Sequence, residues 1–372
     1  MSPGQFLEIL ISLSLQAAIV VLLSSWACRI ARTPSLQCRL WNLCHLVLLG
    51  LTAAALLLPH PRILRPWRLA STETVGRVAS AESVIGRVAF WIWAAGAACS
   101  LTILMYQWIR AARFLKSCRD VDWPTNQVAE LLVDDSRSDN RKPRPRVLVS
   151  SEIGSPFCCQ WHQPYLVLPE FLEDSSTDAL RFVARHELEH LRGGHPLHLF
   201  LQRLVETLFW FHPLVRWASR EMAIAREFAC DDAAVSSRQD VIVYLKMLLA
   251  IAERGQIRES EGALLFFGRS ASIVARRGRR LVEQLEQGRP APSPRARIAS
   301  QAMLALALLV SVAAWAPCDV LASGRMLWSP WPTWSAGVLH SFEIPARDYE
   351  PFESRTRLYE LEERAATVST AH

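Results

Sequence analysis

Four runs of apolar residues, each long enough to cross a bilayer, constrain this chain more than any other feature. Crossing about 30 Å of hydrocarbon at about 1.5 Å per residue takes about 20 residues, and in lipid only a helix or closed barrel satisfies its own backbone. The runs extend from about Phe6 to Ala27, Trp41 to Pro59, Val88 to Ile109 and Ala299 to Pro317. Glu8 is the one formal charge among them and lies near an edge, where it reads as interfacial. Trp91, Trp93, Tyr106 and Trp108 sit toward the ends of the third run, where amphipathic rings favour the interface. The first run lacks a basic segment before it and is too long for a signal-peptide core, so it reads as a retained helix. A hydrophobic content of 51% over 372 residues agrees with a membrane protein.

Basic residues near the membrane ends set the expected orientation. Arg29, Arg32 and Arg39 follow the first run; Arg110, Arg113, Lys116 and Arg119 follow the third; Arg276, Arg277, Arg279, Arg280, Arg295 and Arg297 precede the fourth. These segments are expected in the cytoplasm. The loop after the second run holds Arg62, Arg65, Arg68, Arg77 and Arg87 against Glu73 and Glu82, so it falls outside by alternation and not by charge. The net charge of +6 is concentrated at these ends, without a nucleic-acid module. Lipid headgroups are the simpler partner, and no direct nucleic-acid binding is expected. The nine cysteines show no paired framework and are expected to be reduced thiols.

The resulting plan is a membrane region over 1–109, a cytoplasmic domain over 110–298, a fourth membrane helix over 299–318 and a short extracytoplasmic tail over 319–372. Within the cytoplasmic domain, Asp134 to Arg146 is charged and aperiodic and reads as a linker. Val147 to Val149 and Tyr165 to Leu168 read as short strands around a turn containing Gly154, Ser155 and Pro156. A helix follows from Ser175 or Ser176, with Leu180, Val183, Ala184 and Leu188 at helical spacing, and Gly193-Gly194 ends it. Further helices are expected over about Pro196 to Phe211, Leu214 to Val235 and Tyr244 to Ala252.

The first of these helices carries the chemistry. His186-Glu187-Leu188-Glu189-His190 fits the HExxH pattern, in which residues four apart share a helix face and both imidazoles can reach one zinc ion. Glu187 would act as general base on a metal-bound water. A catalytic zinc takes a third protein ligand and keeps one position open. Glu221 and Glu227 lie on a later helix, and Glu227 is followed at i+4 by Asp231, so those two carboxylates share a face. Glu227 can bind metal while Asp231 orients a ligand histidine. From spacing alone, ordinary helix-surface acids explain this pair equally well. His195, His198, Cys158, Cys159 and Cys230 read as surface or packing residues.

HELEH, then Trp210-Phe211-His212-Pro213, then Arg226-Glu227-Phe228-Ala229-Cys230-Asp231-Asp232, resembles the peptidase domain of the BlaR/MecR-type antirepressor membrane metallopeptidases. The stretch from Ser155-Pro156-Phe157 through Pro164 to Leu168-Pro169 is similar to the strands before the zinc helix of that family, so the likeness covers about residues 145 to 235. It implies a polytopic α-helical membrane protein with a cytoplasmic α+β, gluzincin-like metallopeptidase domain. It further implies zinc on His186, His190 and Glu227, Asp231 behind them, and cleavage of the chain itself or of a cytoplasmic winged-helix repressor in response to a signal. A homodimer is compatible with this plan. The chain departs from the family at Gln160, where a glycine is usual, and at His195, where an aspartate is usual. It also shows no Ser-x-x-Lys arrangement, so no penicillin-binding sensor is expected. Two other readings remain: a non-catalytic transmembrane receptor or scaffold in which zinc only ties helices together, and a quality-control peptidase with broad membrane substrates.

Overall fold

The computed structural model describes residues 2–63, 72–120, 145–160, 163–173, 175, 177–259, 271–288, 293–318 and 328–347. Most of the expected linker over 134–146, part of the loop after the second apolar run and most of the tail lie outside the described residues. Among the described residues, four helices carry apolar windows long enough to cross a membrane: α1 (Pro3–Ile30), α2 (Pro34–Leu57), α3 (Thr72–Ser117) and α9 (Pro294–Ala313). Prolines open three of them, as suits a first-turn position whose amide has no helical partner. Helix α3 begins well before the expected Val88. Its first turns are too polar for an apolar-run search, yet they contain no proline and continue the helix. Arg77 and Arg87, expected in a loop, therefore lie on a helix. Helix α9 stops at Ala313 and leaves Trp315 in irregular chain.

The chain forms two compact units, and the division falls inside these four helices. One unit comprises Met1–Gln16, Leu49–Ile92 and Val310–His372. Ile9, Ala55 and Trp315 form its apolar centre. Glu8, expected as an interfacial charge, is enclosed by protein partners. Glu8 is only 2% exposed, because Arg62 brings Nη2 to 3.0 and 3.2 Å from its two oxygens and Trp315 Nε1 donates to Oε1 at 2.7 Å. His60 stacks on Trp315 at 3.6 Å. A buried carboxylate requires such partners, and no local pattern around Glu8 names them.

The second unit comprises Ala17–Leu48 and Trp93–Leu309. Its sheet runs in the order β1 (Arg119–Asp120), β2 (Arg146–Ser150), β4 (Pro164–Pro169), β3 (Phe157–Gln160). β2 and β4 are parallel, with Val147 opposite Leu166 and Val149 opposite Leu168, and both outer pairs are antiparallel. Side chains alternate across a strand, so the sheet buries two different surfaces. Val147, Val149, Leu166 and Leu168 pack with Leu180, Val183 and Ala184 of α4 (Thr177–Arg192). Tyr244, Met247, Leu248 and Ile251 of α7 (Arg238–Glu259) and Leu281 of α8 (Ala271–Gln287) complete that core. On the opposite face, Leu148 and Val167 pack with Phe114 from the end of α3.

Between α4 and α7 lie α5 (His195–Leu208) and α6 (Pro213–Ala234). The Trp210-to-Pro213 segment joins them and is anchored to α3 by two reciprocal bonds. Trp93 Nε1 donates to the Leu208 carbonyl at 3.0 Å, and Trp210 Nε1 donates to the Trp93 carbonyl at 3.2 Å. A Cβ at Gly96 would lie 2.1 Å from the Trp210 ring, so only glycine admits the indole there. His212 caps α6 by accepting from the Val215 amide, and Pro213 takes its first position.

Candidate metal centre

Two helices, α4 and α6, pack against each other, and their facing side chains define the centre. His186 and His190 stand one turn apart on α4, and Glu227 stands one turn before Asp231 on α6. His186 Nε2 lies 3.3 Å from His190 Nε2. Glu227 places Oε2 3.6 Å from the first nitrogen and Oε1 3.5 Å from the second. A tetrahedral cation holding nitrogen and oxygen at about 2.0–2.2 Å separates its ligand atoms by about 3.3–3.6 Å. Each histidine nitrogen thus has a Glu227 oxygen at that spacing, a different one for each, and the three side chains offer the donor types that a divalent cation takes. Glu187, next to His186, is 1% exposed and stands at the edge of this triad in the helix sequence.

With both Nε2 atoms turned to the cation position, each ring carries its proton on Nδ1, and that proton needs an acceptor. His186 Nδ1 lies 2.9 Å from the Tyr244 hydroxyl and 3.2 Å from Asp231 Oδ1. The hydroxyl in turn donates to Asp231 Oδ1 at 2.7 Å. Arg277 grips the same carboxylate with Nε at 2.9 Å from Oδ2 and Nη2 at 2.5 Å from Oδ1, while its Nη1 lies 2.8 Å from Glu227 Oε2. Arg277 is fully buried and joins the candidate ligand Glu227 to the carboxylate behind His186. Burial alone would raise the Asp231 pKa, but the Arg277 charge and the hydrogen bonds from His186 and Arg277 hold it below the usual carboxylate range.

His190 is held from the other side. Its Nδ1 lies 2.9 Å from His195 Nδ1, and Cys230 Sγ lies 3.7 Å from that same His195 atom. Burial, then the neighbouring His190 and Arg226, push His195 down to about 3, so its ring is neutral and accepts the His190 proton. His195 then carries its own proton on Nε2, 3.8 Å from Cys38 Sγ. Two glycines make this placement feasible. Gly194 adopts φ +63, and a Cβ at Gly193 would lie 2.7 Å from His195 Nε2.

The structure therefore brings His186, His190, Glu227 and Asp231 together. It leaves Glu221 aside, where Arg276 approaches both its oxygens at 3.3 and 3.4 Å. The packing role expected for His195 is corrected to contact with a candidate ligand, whereas His198 bonds Asn42 at 3.0 Å. Three supports escape sequence reasoning: Tyr244, Arg277 and His195. For Arg277 a signal existed. With Val274, Leu281 and Leu285 it forms one helical stripe, so an arginine sits on the apolar face of α8.

His195→Phe should fill the site yet remove the acceptor for His190, and zinc affinity should fall about 10–100-fold. His195→Asp should restore most of it. Competition against a chromophoric chelator measures both, and unchanged affinity in His195→Phe would refute the support role.

Apolar helices long enough to cross a membrane, joined to a unit with this His-His-Glu centre, define a membrane protein of the metallopeptidase class. The chain belongs to the BlaR1 peptidase M56 family, whose match covers residues 8–277. It is also similar to Regulatory protein BlaR1 of Bacillus licheniformis, 26% identical over 204 residues. That alignment takes in 55% of this chain and 33% of the relative, so the chain covers about a third of that curated relative's length.

Proposed function

We propose that the chain is a zinc-dependent, gluzincin-like endopeptidase of the bacterial inner membrane, with its peptidase unit in the cytoplasm. It answers a signal by cleaving itself or a cytoplasmic winged-helix repressor. The observation that carries the peptidase reading is the convergence of His186, His190 and Glu227, whose nitrogens lie 3.3 Å apart with one Glu227 oxygen 3.6 Å from the first and the other 3.5 Å from the second, beside a buried glutamate on the same helix. A site that only tied helices together would need ligands but no base. Zinc bound here would lower the pKa of a coordinated water toward about 7 and polarise a peptide carbonyl. Glu187 takes the proton of the attacking water and delivers it to the departing amine. Asp231 and Tyr244 hold the His186 ring, and His195 holds that of His190. The domain plan of three membrane helices, a peptidase domain over 110–298 and a fourth membrane helix belongs to this reading. So does the regulatory role, which is supported by family membership and by the relative's name as a regulatory protein.

The test uses the full chain in lipid nanodiscs. Zinc should be present at one per chain, chelation should stop fragment formation, and added zinc should restore it. Fragmentation that persists in metal-free protein would sink the reading. Trapping substrates in cells on Glu187→Gln then separates regulation from quality control: one dominant repressor supports the first, and many unrelated membrane proteins support the second.

A further inference from the structure

We propose that His190, His195 and Cys230 form a second cation site, for a thiophilic d10 ion, which opposes the peptidase centre through the imidazole that the two sites share. His190 Nδ1 and Cys230 Sγ lie 2.9 and 3.7 Å from His195 Nδ1, and the three ligand atoms all fall within 4.8 Å of one another. A tetrahedral ion with sulfur at about 2.3 Å and imidazole nitrogen at about 2.0–2.1 Å separates those two atoms by about 3.6 Å. The Cys230 to His195 distance already fits, and the two rings need to part by only a few tenths of an ångström.

The donor set decides the class of ion. It holds one sulfur, two imidazole nitrogens and no carboxylate, which selects zinc, cadmium or copper(I) over magnesium or calcium. His195 Nδ1 lies between the other two ligand atoms, 2.9 Å from His190 Nδ1 and 3.7 Å from Cys230 Sγ. Cys230 is fully buried and His195 is 8% exposed, whereas the His190 side chain is 12% exposed.

The opposition follows from one atom. His190 Nδ1 cannot both donate its hydrogen bond to His195 and coordinate an ion. An ion in the second site displaces the Nδ1 proton of His190 and the thiol proton of Cys230 to solvent, so His190 becomes an imidazolate shared by the two ions and loses the hydrogen bond that orients its Nε2 toward His186 and Glu227. A rise in thiophilic metal therefore holds the peptidase off. Binding at the second site stands alone, while this inhibition rests on the proposed peptidase reading.

Cadmium is the probe, added to the full chain in nanodiscs already carrying one equivalent of metal. A second cadmium should bind with a thiolate-to-cadmium charge-transfer band, and X-ray absorption at the cadmium edge should show sulfur in its shell. Cys230→Ser should lose the band and keep one cadmium, whereas Glu227→Ala should keep the band and lose the other ion. Second-site cadmium should slow self-cleavage about tenfold or more in the wild type, and Cys230→Ser should escape that inhibition. Absence of sulfur around cadmium in the wild type overturns the site without reliance on any variant. A band undiminished in Cys230→Ser overturns it too, by assigning the ion to other thiols. Equal inhibition of wild type and Cys230→Ser overturns the opposition. If no zinc-loaded form cleaves anything, the peptidase reading fails while the band still reports on the site.

Discussion

Glu187→Gln should leave one zinc per chain and an unaltered fold, yet lower self-cleavage by about 10²–10⁴-fold, the usual contribution of a positioned general base. The amide keeps the volume of the carboxylate but cannot accept the proton of the attacking water. Glu187 is absent from the ligand triangle, so the His186, His190 and Glu227 distances give no reason for zinc loss. His186→Ala should behave differently and lose the metal together with activity. The pair of variants separates chemistry from architecture. Zinc analysis and fragment gels on the same preparations decide the matter. A Glu187→Gln protein that keeps native zinc and native cleavage would remove Glu187 from the reaction and favour a scaffold role for the metal.

What the sequence makes legible is whatever repeats along one element. Apolar runs mark the lipid-crossing helices, and i,i+4 spacing puts His186 with His190 and Glu227 with Asp231 on single faces. That the two faces meet is a tertiary fact, dictated by the core in which α4, α7 and α8 pack on one side of the sheet. Residues acting across elements therefore carry little signal along any one element. Tyr244 looks like the start of a helix, yet its hydroxyl sits between His186 and Asp231. His195 looks like loop packing, because the glycine conformations that turn its ring back toward His190 have no signature beyond Gly-Gly. Glu8 looks like a lone charge, because its partners Arg62 and Trp315 lie 54 and 307 positions away. Arg277 was hidden by its neighbours, since Arg276, Arg279 and Arg280 make the segment read as a run of membrane-end charge.

Arg277→Met should be the most damaging change outside the candidate ligands. It keeps an aliphatic stem but leaves the Asp231 and Glu227 carboxylates facing each other in a buried place without their shared cation. Removing one partner from a buried ion pair costs about 3–5 kcal/mol, because the remaining charge is left uncompensated. Zinc affinity should fall as well, by about 10–100-fold, since the group orienting Glu227 and Asp231 is gone. Arg277→Lys should recover little, because an ammonium cannot span both oxygens of Asp231 and still reach Glu227. Adding Asp231→Asn to Arg277→Met should recover part of the lost stability by neutralising the stranded carboxylate, so the two changes should couple instead of adding. The recovery should not extend to zinc, because an amide is a weaker acceptor for the His186 system than a carboxylate. Thermal unfolding midpoints of the full chain, with and without saturating zinc, and chelator competition supply both readouts. If Arg277→Met retains the native midpoint and zinc affinity, the buried guanidinium is filler, and the link it makes between Glu227 and Asp231 is incidental.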